Sequence, residues 1–262
     1  MRAFVFPGQG SQKIGMGKDL AESFPSAKAV FDEVDEALGE NFSALVFDGS
    51  DDDLKLTENT QPALMAVSLA AVRALEAEFG IALKDHGGFV AGHSLGEYSA
   101  LAAVGALSIA DTAKLLRLRG KAMQSAVPVG EGAMAAVLGL SMEQVEAVLA
   151  EVDSSLGVAE VANDNANGQV VISGSAAAIT AAGEAMKAAG AKRAVPLPVS
   201  APFHCSLMQP AADAMAEALA SAAISAPALP VVANVLAASY DDPAQTAELL
   251  VQQVTEIGRA HV

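Results

Sequence analysis

The segment FVAGHSLGEYSA, Phe89–Ala100, constrains the fold of this chain more than any other. A short apolar run meets a serine bracketed by glycines, and a small-residue helical pattern follows at once. GHSLG, residues 92–96, fits Gly-x-Ser-x-Gly, the pattern of a sharp strand-to-helix turn that exposes a serine hydroxyl above a sheet. A Cβ at Gly92 or Gly96 would obstruct the turn and the strand–helix contact. The amide of Leu95, at the helix start, is placed to help bind an oxyanion. Ser94 is therefore the candidate nucleophile.

The surrounding rhythm agrees with such a turn. RAFVF (2–6) and GGFVAG (87–92) read as buried strands, and helical patterns run near 16–38, 61–79, 95–105 and 108–126. Strands alternating with helices indicate an α/β fold around a parallel sheet. The middle changes character. GAMAAVLGL (132–140), a capped helix from SMEQ (141–144), strands at 157–163 and 169–173, a helix at 175–190 and a strand at 192–199 give the order β-α-β-β-α-β. That order is the ferredoxin-like arrangement, so residues 130–197 are expected to form a small inserted lobe. The loop SAPFHC, a helix to about 223, a strand at 230–235 and a helix from Pro243 complete the reading.

Composition excludes several classes. At 262 residues and 52% apolar content the chain can bury a substantial core. The net charge of −16 argues against nucleic acid as a partner. The apolar runs are too short to span a membrane, and MRAFVFPGQG is too short for a signal peptide. Cys205 is the single cysteine, so no internal disulfide can form, and it reads as a small core residue. No His/Cys/Asp cluster has metal-ligand spacing. A soluble cytoplasmic protein without metal or cofactor fits these features. The three acidic residues 51–53 read as a solvated helix start.

A serine near neutral pH needs a base. Of the four histidines, His86 precedes the strand beside charged and glycine residues, His93 is adjacent to the serine, and His261 lies in the tail. His204, in a loop stiffened by Pro202, remains as the candidate. The helix DTAKLLRLRGKAMQSA (111–126) carries an anomaly. At roughly 100° per residue, Lys114, Arg117 and Lys121 share a polar face, while Arg119 projects into the stripe of Leu115, Leu116, Ala122 and Met123. A buried guanidinium is costly without an anion. Either a protein carboxylate pairs with Arg119, or it awaits an anionic ligand, which its paired N–H groups suit. PGQGSQ (7–12) lacks the lysine of a phosphate loop, and its amides could instead complete an oxyanion hole or simply form a turn.

With these residues in view, the chain resembles the malonyl-CoA:acyl-carrier-protein transacylases of bacterial fatty-acid synthesis. The resemblance rests on FVFPGQGSQ, TQPAL, AGHSLGEYSAL, RGKAMQ, GAMAAVLGL, NGQVVISG, AGAKRAVPLPVSAPFHC, ANV and LLVQQ, spread over residues 3–254. It implies a hydrolase-like α/β core, residues 1–129 and 198–255, with the ferredoxin-like subdomain inserted at 130–197. It further implies Ser94 as the acylated nucleophile, His204 as its base and Arg119 as the carboxylate binder. Gln9 and Leu95 would supply oxyanion amides, and Gln253 would orient the histidine through its carbonyl. Phe203 would favour malonyl over branched acyl groups.

The implied substrates are malonyl-CoA and acyl carrier protein, with coenzyme A as product. The enzyme is expected to be monomeric, with Lys114, Arg117, Lys121, Lys192 and Arg193 as a local basic patch for its acidic partners. A serine thioesterase or esterase, or an inactive carrier-binding module, are the alternatives. Past LLVQQVT the family's next strand and helices are missing, and EIGRAHV reads as translated sequencing adapter. Residues 256–262 are therefore expected to be a non-native tail on a C-terminally truncated chain.

Overall fold

The computed structural model describes residues 2–199, 201–256 and 258–259. In chain order the first half holds β1 (Ala3–Phe6), α1 (Lys18–Ser23), α2 (Pro25–Leu38), α3 (Phe42–Asp48), α4 (Asp51–Lys55), α5 (Thr57–Phe79), α6 (Leu83–His86), β2 (Phe89–Gly92), α7 (Leu95–Ala103) and α8 (Ile109–Ser125). The second half holds β3 (Gly132–Leu138), α9 (Met142–Ala150), β4 (Ala159–Ala166), β5 (Gln169–Ser175), α10 (Ala176–Ala188), β6 (Arg193–Pro196), α11 (Gln209–Ala220), β7 (Val231–Ala233), β8 (Ala238–Tyr240), α12 (Pro243–Thr255) and β9 (Gly258–Arg259).

The chain divides into two compact units. The first comprises the described residues up to Lys121, with Glu217–Ala233 and Ala238–Ala247. The second comprises Ala122–Ala216, Asn234–Ala237 and the described residues from Glu248 onward. It thus takes in the four strands of the 130–197 stretch and also the loop carrying His204 and the helical turn carrying Gln253.

The first unit is built on a sheet in the order β1-β2-β7-β8. β1, β2 and β7 run parallel, with Phe6 opposite Gly92 and Val90 opposite Val231. The 230–235 stretch does not continue as one strand. It turns after Ala233 and returns as β8, antiparallel to β7. Three residues of β8 are too few to show a period, so the hairpin could not be read from pattern. Helix α5 starts at Thr57, four residues before the expected start near Gln61. Pro62 therefore lies inside the helix rather than in its first turn. Capping lies upstream instead: the Asn59 and Thr60 amides both donate to the Leu56 carbonyl, and the Thr60 hydroxyl donates to Leu54 O at 2.6 Å. That extension brings Asn59, Thr60 and Gln61 into the helix as buried polar residues.

The second unit carries a sheet in the order β6-β3-β5-β4-β9. Its first four strands, with α9 and α10, have the ferredoxin-like connectivity. β3 pairs antiparallel with both β5 and β6, and β4 with β5. Val137, Val170 and Ile172 pack with Val145 of α9 and Ile179, Ala182 and Met186 of α10 in one buried apolar core. The Ser141 hydroxyl and the Gln144 side chain form a reciprocal cap that starts α9. Of the suspected tail 256–262, Ile257 and Ala260 to Val262, including His261, lie outside the described residues. Gly258 and Arg259 pair in parallel with Asn163 and Asp164 of β4. Among the described residues no helix is long and apolar enough to cross a membrane.

Candidate active site

In the first unit, sterics shape the serine turn. A Cβ on Gly92 would lie 1.9 Å from the carbonyl of Gly96, and one on Gly96 would lie 2.5 Å from Phe6 O. Strand end, helix start and the end of β1 therefore touch backbone to backbone. The loop after β1 is drawn in as well: the His93 amide donates to Phe6 O at 3.1 Å, and a Cβ on Gly8 would meet His93 Nδ1 at 2.7 Å. The His93 ring thus lies against this loop. Ser94 is left at φ 52°, ψ −109°, a conformation few residues other than glycine adopt. Leu95, the first residue of α7, is buried, and Gln9 is exposed with its side-chain amide 3.4 Å from the Thr57 hydroxyl.

Arg119 lies in this unit beside the serine. Only 1% of it is exposed. Nη1 donates to Gln61 Oε1 at 2.9 Å and Nη2 to Ser94 Oγ at 3.0 Å. Its guanidinium carbon is 5.6 Å from the Tyr98 ring centroid. Burial pushes the Arg119 pKa down, while Tyr98 and Glu97 act in the opposite direction. The Tyr98 hydroxyl is pushed up to about 12 by burial, with Arg119 opposing.

Helix α8 reaches this position because Gly120 lets it rest on the first turn of α5. A Cβ there would lie 2.5 Å from Glu58 Cα. The neighbouring cations fasten the same contact. Arg117 donates to Asn59 and pairs with Glu40, its guanidinium 4.9 Å from the Phe42 ring centroid, and Lys121 lies 3.7 Å from Glu58. Arg117 was expected on a free basic face; it is instead ion-paired, with only 15% of its side chain exposed. The periodicity placed it on a polar face correctly but could not supply the acidic residue, Glu40, which follows the end of α2. Gln61 is the site residue the sequence reading assigned no role. Its signal was a polar run, Asn59 to Gln61, opening an otherwise apolar helix.

In the second unit His204 sits in the loop before a 3-10 turn, Ser206–Met208. It is 5% exposed and also left-handed, with φ 56°. Nδ1 lies 2.7 Å from the backbone carbonyl of Gln253. A carbonyl only accepts, so Nδ1 carries the hydrogen and Nε2 holds the lone pair in neutral His204. Gln253 is buried, its side-chain amide 3.5 Å from Asn234 Oδ1. Phe203, next to the histidine, is buried. Cys205 is fully buried, and its thiol donates to Pro202 O at 3.1 Å; burial pushes its pKa up. Of the remaining histidines, His86 is exposed at the end of α6. Among the described residues no group of His, Cys, Asp and Glu could hold a metal ion.

The structure therefore joins Ser94 to Arg119 and Gln61 in one unit, and His204 to Gln253 and Asn234 in the other. A mainly parallel sheet with a strained serine turn at a strand end has the architecture of an α/β acyl-transfer enzyme, and a family model described as an acyl transferase domain matches residues 3–259. Two curated relatives are malonyl CoA-acyl carrier protein transacylases. The one from Bacillus subtilis is 48% identical over 252 residues, covering 96% of this chain and 78% of the relative. The one from Escherichia coli is 49% identical over 233 residues, covering 89% and 74%. The chain belongs to the malonyl CoA-acyl carrier protein transacylase family. Among solved structures, the acyl-carrier-protein S-malonyltransferase of Bartonella henselae superposes with a TM-score of 0.95 at 55% identity, over 99% of this chain and 82% of that one. A malonyl-transacylase in complex with a type II PKS acyl-carrier protein superposes with a TM-score of 0.93 at 44% identity, over 98% of this chain and 82% of that one.

Proposed function

We infer that this chain transfers a malonyl group from malonyl-CoA to the phosphopantetheine thiol of an acyl carrier protein, supplying fatty-acid synthesis through a malonyl-serine intermediate. The observation that carries the reading is the buried Arg119 guanidinium donating to Ser94 Oγ at 3.0 Å. A fixed cation beside the nucleophile selects an acyl group that bears its own carboxylate, because the fork binds a carboxylate through two hydrogen bonds.

The steps follow. Ser94 Oγ attacks the thioester carbonyl while its proton passes to His204 Nε2. The amides of Gln9 and Leu95 hold the oxyanion, a role supported by the tight approach of the β1 loop to the serine turn. The carbon–sulfur bond breaks, and coenzyme A departs with the proton from His204. The carrier thiol then gives its proton to His204 and attacks the serine ester. The oxygen of Ser94 leaves and takes the proton back. Gln253 holds the histidine tautomer that puts the hydrogen on Nδ1 and the lone pair on Nε2, as the base role requires. Phe203 narrows the space for substituents on the acyl α-carbon. The same reading has residues 130–197 as a subdomain inserted into the acyltransferase core, and the enzyme as a cytoplasmic monomer needing no cofactor.

The test is incubation with malonyl-CoA followed by intact-mass and peptide analysis. The expected result is a covalent gain at Ser94 that moves to a carrier-protein thiol, and its complete loss in Ser94→Ala. Free malonate without transfer would identify a thioesterase. Full labelling of Ser94→Ala would overturn the assignment of the nucleophile.

A further inference from the structure

We propose that Glu160 is a positioning residue that holds the His204 loop in its strained conformation; this rests on the reading of His204 as the base. Glu160 lies on β4, opposite Ser173 of β5. Its carboxylate grips one residue twice. Oε2 accepts from the Ser206 backbone amide at 2.7 Å, and Oε1 accepts from the Ser206 hydroxyl at 2.7 Å. Both bonds are short and charge-assisted, the stronger kind. Ser206 stands two residues past His204 and opens the 3-10 turn, so this grip caps the turn and clamps the loop at its downstream end.

The loop needs such a clamp. A non-glycine residue at φ 56° carries backbone strain and persists only where its surroundings hold it. Upstream, Pro202 packs against the bare Cα of Gly132, where a Cβ would lie 2.3 Å from the proline Cδ. In the middle, Cys205 is fully buried and bonded back to Pro202 O. Downstream, Glu160 holds Ser206. With residues 202 and 206 both fixed, the three residues between them cannot relax to ordinary φ, and Nε2 keeps a set direction. Removing the Glu160 carboxylate frees the downstream end. A misplacement of about 1 Å in a catalytic group costs on the order of 100-fold in rate.

The experiment compares the full chain with Glu160→Ala, Glu160→Gln, Ser206→Ala and His204→Ala. Two quantities are read: the single-turnover rate of Ser94 acylation by malonyl-CoA, and the His204 Nδ1–H resonance in protein carrying nitrogen-labelled histidine. Glu160→Ala is expected to slow acylation at saturating malonyl-CoA about 10- to 100-fold with little change in KM, and to move or broaden the Nδ1–H resonance. Glu160→Gln, which can still accept from Ser206, is expected to recover most of the rate. An acylation rate equal to the parent's in folded Glu160→Ala overturns the proposal, and so does a slowed rate with an unmoved resonance. If Glu160→Ala does not fold, Ser206→Ala decides. It loses only the hydroxyl bond, so a loss of a few-fold with a shifted resonance supports the clamp, and parental values of both overturn it. Full acylation by His204→Ala would refute the base itself. An inactive His204→Ala beside a fully active Glu160→Ala would refute the clamp alone.

Discussion

Ser94 in the first unit and His204 in the second both sit at positive φ, 52° and 56°, yet their neighbourhoods hold them by different physics. The serine turn is held by exclusion. Gly92, Gly96 and Gly8 let three backbone segments touch, and any side chain there would collide with main-chain or imidazole atoms. The histidine loop is held by attraction from far along the chain. The Gln253 carbonyl takes Nδ1, and the Glu160 carboxylate takes Ser206. Exclusion is local, rigid and intolerant of a single added methyl group. Attraction through hydrogen bonds is graded, because each bond contributes only about 1 kcal/mol net and more where a charge takes part.

The contrast can be broken most directly at Gly92. Gly92→Ala places a Cβ 1.9 Å from the Gly96 carbonyl, so the turn cannot form as it stands. The expected outcome is loss of about 3 kcal/mol or more of stability, with no acylation of Ser94. Urea unfolding with parental midpoint would show that packing exclusion does not hold the serine. Next in size is Arg119→Ala, expected to weaken malonyl use by roughly 2 kcal/mol and to admit uncharged acyl groups. Competition between malonyl-CoA and acetyl-CoA measures this, and an unchanged preference would make Arg119 structural.

Gln253→Ala sharpens the histidine half. The partner of Nδ1 is a backbone carbonyl, which the substitution keeps, so the rate is expected to fall by less than about tenfold. A loss of a hundredfold in single-turnover acylation would assign the orientation to the side chain beside Asn234. The smallest effect concerns Tyr98, behind the serine. Its pKa is raised from 10.0 to about 12 by burial, so the folded state favours the neutral phenol. The associated stability is present below about pH 10 and lost as pH rises toward about 12. Tyr240 is shifted in the same direction, again chiefly by burial, so Tyr98→Phe should remove part of that slope and keep the rest. Urea midpoints across this window decide it: equal slopes for parent and variant would show that Tyr98 contributes none of it.

Much of this was written in contiguous residues. Strand, glycine turn and helix followed one another at 89–100, and the β-α-β-β-α-β rhythm of the middle appears as the sheet order β6-β3-β5-β4. Arg119 was legible as a charge out of phase with its own helix, and it is buried. Other features had no local signal. Three-residue β8 shows no period. The bond between Gln61 and Arg119 joins residues 58 positions apart. The tie between Arg117 and Glu40 joins residues that no helical period relates.

Sequence alone determined the serine turn, because a chain that must pass backbone through backbone can do so only with glycine at those positions, and glycine is visible as a letter. Only the tertiary structure decided how the histidine is aimed. Its fixing bonds join residues 49 and 46 positions apart, one of them through a main-chain oxygen that every residue type carries. Such a bond leaves no mark on composition or spacing, since its partners lie far apart in the chain and are brought together only by the fold.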